Sequence, residues 1–204
     1  MCSKYSRKNT KTKVGKKEVS IPAEPQPVIR PTDRASILRA GSSDLEVAEL
    51  RWGLIPSWAK DPKIGLQCIN ARSETVAEKP AFRDSFLHRR CLIPADSFFE
   101  WETRGRHKIP WRFERPEHES FCMAGLWDRW SSPDGPWETF TILTCAPNQL
   151  VGSVHSRMPV LLSPDQAEHW LSQGGTSLLP APEDFLLKFP VEPELPKDSL
   201  FKLT

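Results

Sequence analysis

The sequence has no apolar run of the length needed to span a bilayer, so no membrane partner is expected. It has no Cys-x-x-Cys pair: five cysteines (Cys2, Cys68, Cys91, Cys122 and Cys145) are scattered and odd in number. A disulfide framework is thereby excluded, and an intracellular setting is expected, cytoplasm or nucleoid in a bacterial host. Met1-Cys2-Ser3-Lys4 leads into lysines instead of an apolar stretch, so no secretory signal is read. The scattered Cys and His residues have no ligand spacing; neither a metal nor another cofactor is expected. Bulk charge is nearly balanced, at +2, and does not by itself announce a nucleic-acid binder. Glycine is sparse, ten residues against twenty prolines, which argues against long helices and for many short elements joined by rigid turns. No internal repeat is present.

What is present is a 204-residue chain with 38% hydrophobic and 26% charged residues, enough for one globular domain with a real core. Eight tryptophans point to a surface for something flat or partly apolar. Positive charge gathers at the start, with Lys4, Arg7, Lys8, Lys11, Lys13, Lys16 and Lys17 ahead of the first acid, Glu18. Such an arm suits phosphates; read blandly, it is a solvated, disordered terminus.

Local patterns give the elements. Val28-Ile29 lies in an extended segment punctuated by Pro22, Pro25, Pro27 and Pro31, and Leu45 to Trp52 reads as a strand entering a tight Gly53-Leu54-Ile55-Pro56 stretch. Thr75 with Glu78 suggests a capping box for a short helix that carries Phe82 and Phe86 and ends near Arg90. Cys91 to Pro94, Phe98 to Trp101, Ile109 to Phe113, Phe121 to Trp127, Phe140 to Cys145 and Met158 to Leu162 read as strands. Ser163, Pro164 and Gln166 open a helix that stops before Gly174. The expectation is an α+β fold with a mixed, barrel-like sheet and a few short helices. It occupies residues 1–180, with a divergent basic segment over 1–27 and an irregular, Pro-rich tail over 181–204.

Cys2 offers distinctive chemistry. Loss of Met1 would leave an α-amine and a thiol on adjacent carbons, with reference pKa values near ~8 and ~8.5. An amine of this kind condenses with an aldehyde to an imine, and the thiol then closes a five-membered thiazolidine. A Cys after the start Met is also expected by chance, so the rest of the chain has to decide.

Four motifs do so: Arg51-Trp52-Gly53-Leu54-Ile55-Pro56-Ser57-Trp58, Ile69-Asn70-Ala71-Arg72-Ser73-Glu74-Thr75, Pro94-Ala95-Asp96-Ser97-Phe98-Phe99-Glu100-Trp101, and Val154-His155-Ser156-Arg157-Met158-Pro159-Val160. With Met1-Cys2, and in this order, they resemble the SOS response-associated peptidase family, also described as abasic-site processing proteins. The resemblance is close from about Val28 to Leu171. It departs at the start, where the family commonly reads Met-Cys-Gly-Arg-Tyr/Phe and this chain Met1-Cys2-Ser3-Lys4-Tyr5, and it lacks a family Tyr-Asn pair ahead of Pro27-Val28-Ile29-Arg30. Lys4 keeps the charge of that arginine but not its bidentate fork.

The resemblance implies roles. Cys2 matches the nucleophile, Asn70 the residue holding the Cys2 terminus, Glu100 a catalytic carboxylate and His155 a catalytic histidine. Each has a plain alternative: a turn Asn, a solvent-facing Glu on an alternating strand, a structural His. Glu100 stands among Phe98, Phe99 and Trp101, where desolvation would raise its pKa. Arg72 and Arg157 match phosphate contacts, with Lys4 nearer the terminus. Trp52, Pro56, Trp58 and Trp101 are expected on the DNA-facing rim, core packing being the alternative for each Trp.

The implied activity is capture of abasic sites in single-stranded DNA as a covalent thiazolidine crosslink, a lyase-like chemistry, after autocatalytic peptidase removal of Met1 by a monomeric chain. A cysteine peptidase using Cys2 with His155 and Glu100 or Asn70, and a non-catalytic single-strand binder, are the competing classes.

Overall fold

A computed structural model describes residues 2–42, 44–133, 135–173 and 178–191. In chain order the strands are β1 (Tyr5–Arg7), β2 (Lys11–Val14), β3 (Lys17–Ser20), β4 (Gln26–Ile29), β5 (Arg34–Ala40), β6 (Leu45–Trp52), β7 (Asn70–Arg72) and β8 (Arg90–Ala95). They continue with β9 (Ser97–Arg104), β10 (His107–Glu114), β11 (Phe121–Ser132), β12 (Gly135–Cys145), β13 (Met158–Pro159), β14 (Leu161–Leu162) and β15 (Leu187–Pro190). The α-helices are short: α1 (Arg83–His88), α2 (Gln149–Gly152) and α3 (Pro164–Ser172). The fold is α+β, as the sequence predicts, and among the described residues no helix is long and apolar enough to cross a membrane.

The main sheet closes on itself. It runs β12-β6-β5-β8-β11, and β11 returns to pair with β12, so five strands form a ring with no free edge among them. β6 joins β12 in parallel at Arg51↔Thr139 and Trp52↔Phe140. Ring strands are buried on more than one side, which explains why β5, Arg-Ala-Ser-Ile-Leu-Arg-Ala, has four consecutive buried residues and no alternation for the sequence to reveal. Ile37, Leu38, Leu50, Leu92, Ile93 and Phe140 are all fully buried in the core. Trp52 belongs with them: its ring stacks on Phe140 at 6.2 Å and meets Tyr5 edge-on at 5.3 Å. A second, five-stranded sheet, β15-β10-β9-β1-β4, brings the chain start against β9, with Tyr5 opposite Phe98.

Residues 2–20 form an ordered part of the fold, contrary to the reading of a solvated, disordered terminus. β2 and β3 pair as a hairpin, with Thr12 and Val14 buried and Gly15 at the turn at φ +57°. Its charges are partly spent within the protein. Lys11 pairs with Glu18 at 2.6 Å and Lys17 with Asp44 at 2.7 Å. Arg7 is 1% exposed and donates to the carbonyl oxygens of Asn9 and Ala23.

Two further expectations shift. Thr75 does not cap the short helix expected to end near Arg90: residues 73–78 turn, and α1 begins only at Arg83 with no side-chain cap. Pro80 accounts for this, because it disfavours helical backbone at Lys79. The segment from Pro180 is not all irregular, since Leu187–Pro190 pairs with β10 from Trp111 to Glu114. By contrast, α3 has the predicted capping box, with Ser163 and Gln166 exchanging both hydrogen bonds; Gly174 lies outside the described residues.

Candidate active site

The C-terminal end of β12 gathers two of the four candidate residues. On one side β7 pairs with it in parallel, Asn70 opposite Ile142 and Arg72 opposite Thr144. On the other, β13 pairs with Thr144 and Cys145, so the turn before it, with His155 and Arg157, comes to the same strand end. That turn is fixed upstream: Asn148 caps α2 by accepting from the Val151 N–H at 3.0 Å, and the His155 N–H donates to the Val151 carbonyl at 2.9 Å. Cys2 and Glu100 come from the second sheet, where the N–H of Phe99 donates to the carbonyl of Lys4 at 3.0 Å and holds the chain start along β9.

The four side chains converge. Asn70 Nδ2 donates to the Cys2 carbonyl at 2.8 Å. His155 Nδ1 lies 4.0 Å from Glu100 Oε2. The Glu100 carboxylate is close enough to Cys2 to act on its thiol electrostatically. Asn70 Oδ1 is buried without a hydrogen-bond partner among the described residues, an acceptor whose cost calls for a ligand.

Burial sets the protonation states. Cys2 is fully buried in the chain that still carries Met1; desolvation first, and the Glu100 charge second, push its thiol far above the ordinary range. The thiol is therefore protonated at neutral pH, pointing at the Lys4 carbonyl 3.9 Å away. Glu100, 1% exposed, is raised by desolvation to about 7, where it can both hold and release a proton near neutrality. His155 is lowered, again chiefly by burial, which leaves it neutral. His155 Nδ1 lies 3.0 Å from the Arg157 backbone nitrogen and 3.1 Å from the Arg157 carbonyl oxygen, so the Arg157 backbone holds this edge of the ring.

The expected DNA-facing residues divide. Arg72 is exposed, Lys4 is half-buried with Nζ 4.6 Å from the Phe99 ring centroid, and Trp101 is half-buried. Trp58 is 59% exposed and donates to the Pro80 carbonyl at 3.3 Å, outside the four-residue cluster. Its turn is held from below, with the Ser57 N–H on Asp128 Oδ2 at 3.0 Å. Gly53, at φ +120°, lets this turn approach Gly65 so closely that a Cβ there would sit 2.8 Å from a backbone oxygen. Trp52 is corrected: at 0% exposure, with Nε1 donating to the Ile69 carbonyl, it offers no face to a base. Pro56 is likewise buried and stiffens the turn from inside. Arg157 is already engaged, its guanidinium forked onto Glu74 at 2.6 and 2.8 Å. Glu74 is the residue that sequence reasoning passed over. It lay in a quoted motif, but nothing in the spacing connects it to an arginine 83 positions away.

A buried carboxylate raised to about 7, a histidine lowered by burial and a buried cysteine held through its carbonyl by an asparagine are thus gathered in one cluster. The chain belongs to the SOS response associated peptidase (SRAP) family, whose model matches residues 1–194. Among its relatives are the abasic site processing proteins YoqW of Bacillus subtilis, 46% identical over 143 residues, and YedK of Escherichia coli, 31% identical over 160 residues. The YoqW match covers 69% of this chain and 63% of YoqW; the YedK match covers 76% and 70%. The aligned segment thus spans less than two thirds of the Bacillus relative. A crystal structure of a Bordetella bronchiseptica protein superposes with a TM-score of 0.80 at 28% identity, covering 94% of this chain and all of that one.

Proposed function

We propose that the chain captures abasic sites in single-stranded DNA by forming a thiazolidine between Cys2, freed of Met1, and the ring-opened sugar aldehyde. The observation that carries this reading is the convergence of Cys2, Asn70 and His155 on a buried Glu100 whose pKa is raised to about 7. The kinship with abasic site processing proteins supports the same substrate.

The order of steps follows from the protonation states. A thiol held protonated by burial is a poor first nucleophile. The Cys2 amine, with a reference pKa near ~8, attacks C1′ of the aldehyde first. The resulting carbinolamine loses water to give an imine. Asn70 Oδ1 accepts an amine N–H and aims the lone pair, while Nδ2 keeps the Cys2 carbonyl in place. His155 protonates the sugar oxygen as the ring opens. Glu100 then takes the thiol proton as sulfur adds to the imine carbon, and that proton ends on the former amine nitrogen. The sum is one C–N bond and one C–S bond formed and one water released. Arg72 and Lys4 contact phosphates, and Trp58 and Trp101 stack on bases, a mode indifferent to sequence.

Peptide hydrolysis is confined in this reading to the chain's own Met1–Cys2 bond. The test is to mix purified protein with a single strand bearing one abasic site and run a denaturing gel. A denaturant-resistant, slower band is expected, and its absence with chain shown by mass to lack Met1 would overturn the proposal.

A further inference from the structure

We infer that Trp111 is a positioning residue for Glu100, its ring being the wall that keeps water from the carboxylate along β10. This rests on the proposed role of Glu100 as proton acceptor for the thiol. Side chains alternate between faces along a strand, so Phe98, Glu100 and Glu102 share one face of β9. That face is dry at one end and wet at the other: Phe98 is fully buried, the Glu100 side chain 2% exposed and the Glu102 side chain 20%. Glu100 is thus the last dry position before the rim. Directly opposed residues of an antiparallel pair share a face, with Cβ atoms about 4.5–5.5 Å apart. The register puts Phe113 opposite Phe98 and Trp111 opposite Glu100. The first pair stacks, with ring centroids 5.0 Å apart. The second sets a half-buried indole beside a carboxylate.

The indole is held in that place from two sides. Its Nε1–H donates to Glu102 Oε2 at 3.0 Å, and Lys188 Nζ, on β15, lies 4.5 Å from its ring centroid. The same ammonium donates to Ser153 Oγ at 2.9 Å, in the turn that leads to His155. Glu100 is faced from other elements by the Cys2 thiol and the chain's terminal amine, and by His155 Nδ1 at 4.0 Å. Lys108 is felt at His155, and Glu102 and Lys188 stand at the rim. The amine pulls the Glu100 carboxyl down, so what holds it up is burial. An apolar ring across the ladder supplies that burial with no compensating charge. It supplies no donor either, since its one N–H is spent on Glu102. A carboxyl with such a neighbour can trade a proton near neutrality, whereas one open to water there would be a fixed anion.

The test uses full-length Trp111→Phe and Trp111→Thr with three readouts. The first is the Glu100 carboxyl titration, followed by 13C shifts in protein without DNA and identified by its absence in Glu100→Gln. The second is the pH dependence of crosslinking at saturating abasic-site strand. The third is a 19F titration of wild type labelled with fluorotryptophan, the Trp111 signal being identified by its absence in Trp111→Phe. Phe keeps an apolar wall, so its Glu100 midpoint should stay within about half a pH unit of wild type. Thr suits a strand but gives no wall, so the midpoint should fall by about one pH unit or more. The pH limb of crosslinking should move with it. In wild type the Trp111 fluorine should titrate with the Glu100 midpoint, and should cease to do so in Glu100→Gln. A merely structural Trp111 would cost both variants stability and leave both midpoints in place, which overturns the inference. An equal fall in both variants overturns it too, since an apolar ring would then be no wall. If Trp111→Thr does not fold, the fluorine decides: a Trp111 signal that ignores the Glu100 transition overturns the inference. Failure of wild type to crosslink would sink the proposed function, and the two titrations without DNA would still decide the wall.

Discussion

Replacing Glu100 with Gln should make the protein more stable and less able to capture its substrate. The carboxylate is raised by burial from an ordinary 4.5 to about 7, so the folded state keeps its proton over a range in which the unfolded chain has released it. Ionisation therefore works against the fold. The penalty is absent below about pH 4, grows as pH rises through the unfolded value, and is complete above the folded value near pH 7. At ~1.4 kcal/mol per pH unit, the gap amounts to roughly 3 kcal/mol at pH 8. Gln is nearly isosteric and carries no charge, so Glu100→Gln should match wild type near pH 4.5 and exceed it at pH 8. For a chain of this size, roughly 3 kcal/mol corresponds to roughly 6–12 °C in Tm. Thermal melts at pH 4.5, 6, 7 and 8 measure this directly. In parallel, crosslinking should fall by roughly 10²–10⁴-fold and lose any pH limb near 7, since the proton acceptor for the thiol is gone. A Tm difference that does not widen with pH would refute the desolvation argument, whatever the activity.

Other outcomes follow from the same geometry. Active protein should have an intact mass lower than the encoded chain by one Met residue; quantitative retention of Met1 in crosslinking-competent protein is incompatible with an amine-first mechanism. Cys2→Ser keeps the amine but not the thiol, so it should give a borohydride-trappable imine and strand nicking in place of a hydrolysis-resistant adduct. Equal, stable crosslinks from both proteins would exclude the C–S bond. Trp52→Ala should cost about 3–5 kcal/mol in denaturant unfolding, as large core truncations do, because the ring is fully buried between Phe140 and Tyr5. Trp58→Ala should leave stability within about 0.5 kcal/mol and weaken single-strand binding by about 1–3 kcal/mol, the value of one base–aromatic stack; a reversal of this pattern would mean that the exposed and core tryptophans have been misassigned.

The sequence alone determined the family and most of the strands. Ordered motifs around Cys2, Asn70, Glu100 and His155 marked the family. Aromatic and β-branched runs marked β8 to β12, and Ser163 with Gln166 marked the start of α3, because capping and alternation are local properties that short spacings encode. Tertiary structure decided whatever depended on which face a residue turns inward. Trp52 and Trp58 stand six positions apart in one motif, yet one is core and the other 59% exposed, since the Gly53 turn against Gly65 reverses the chain between them. Lys11, Lys13 and Lys17 carry the same charge in any fold, but pairing Thr12 and Val14 inward made them the outer face of a hairpin. β5 had no period to read because a closed ring buries its strands on more than one side. The occupation of Arg157 by Glu74 could not be foreseen either: a contact across 83 residues exists only because β7 and β13 flank the same end of β12, and that adjacency comes from barrel closure, which no local spacing specifies.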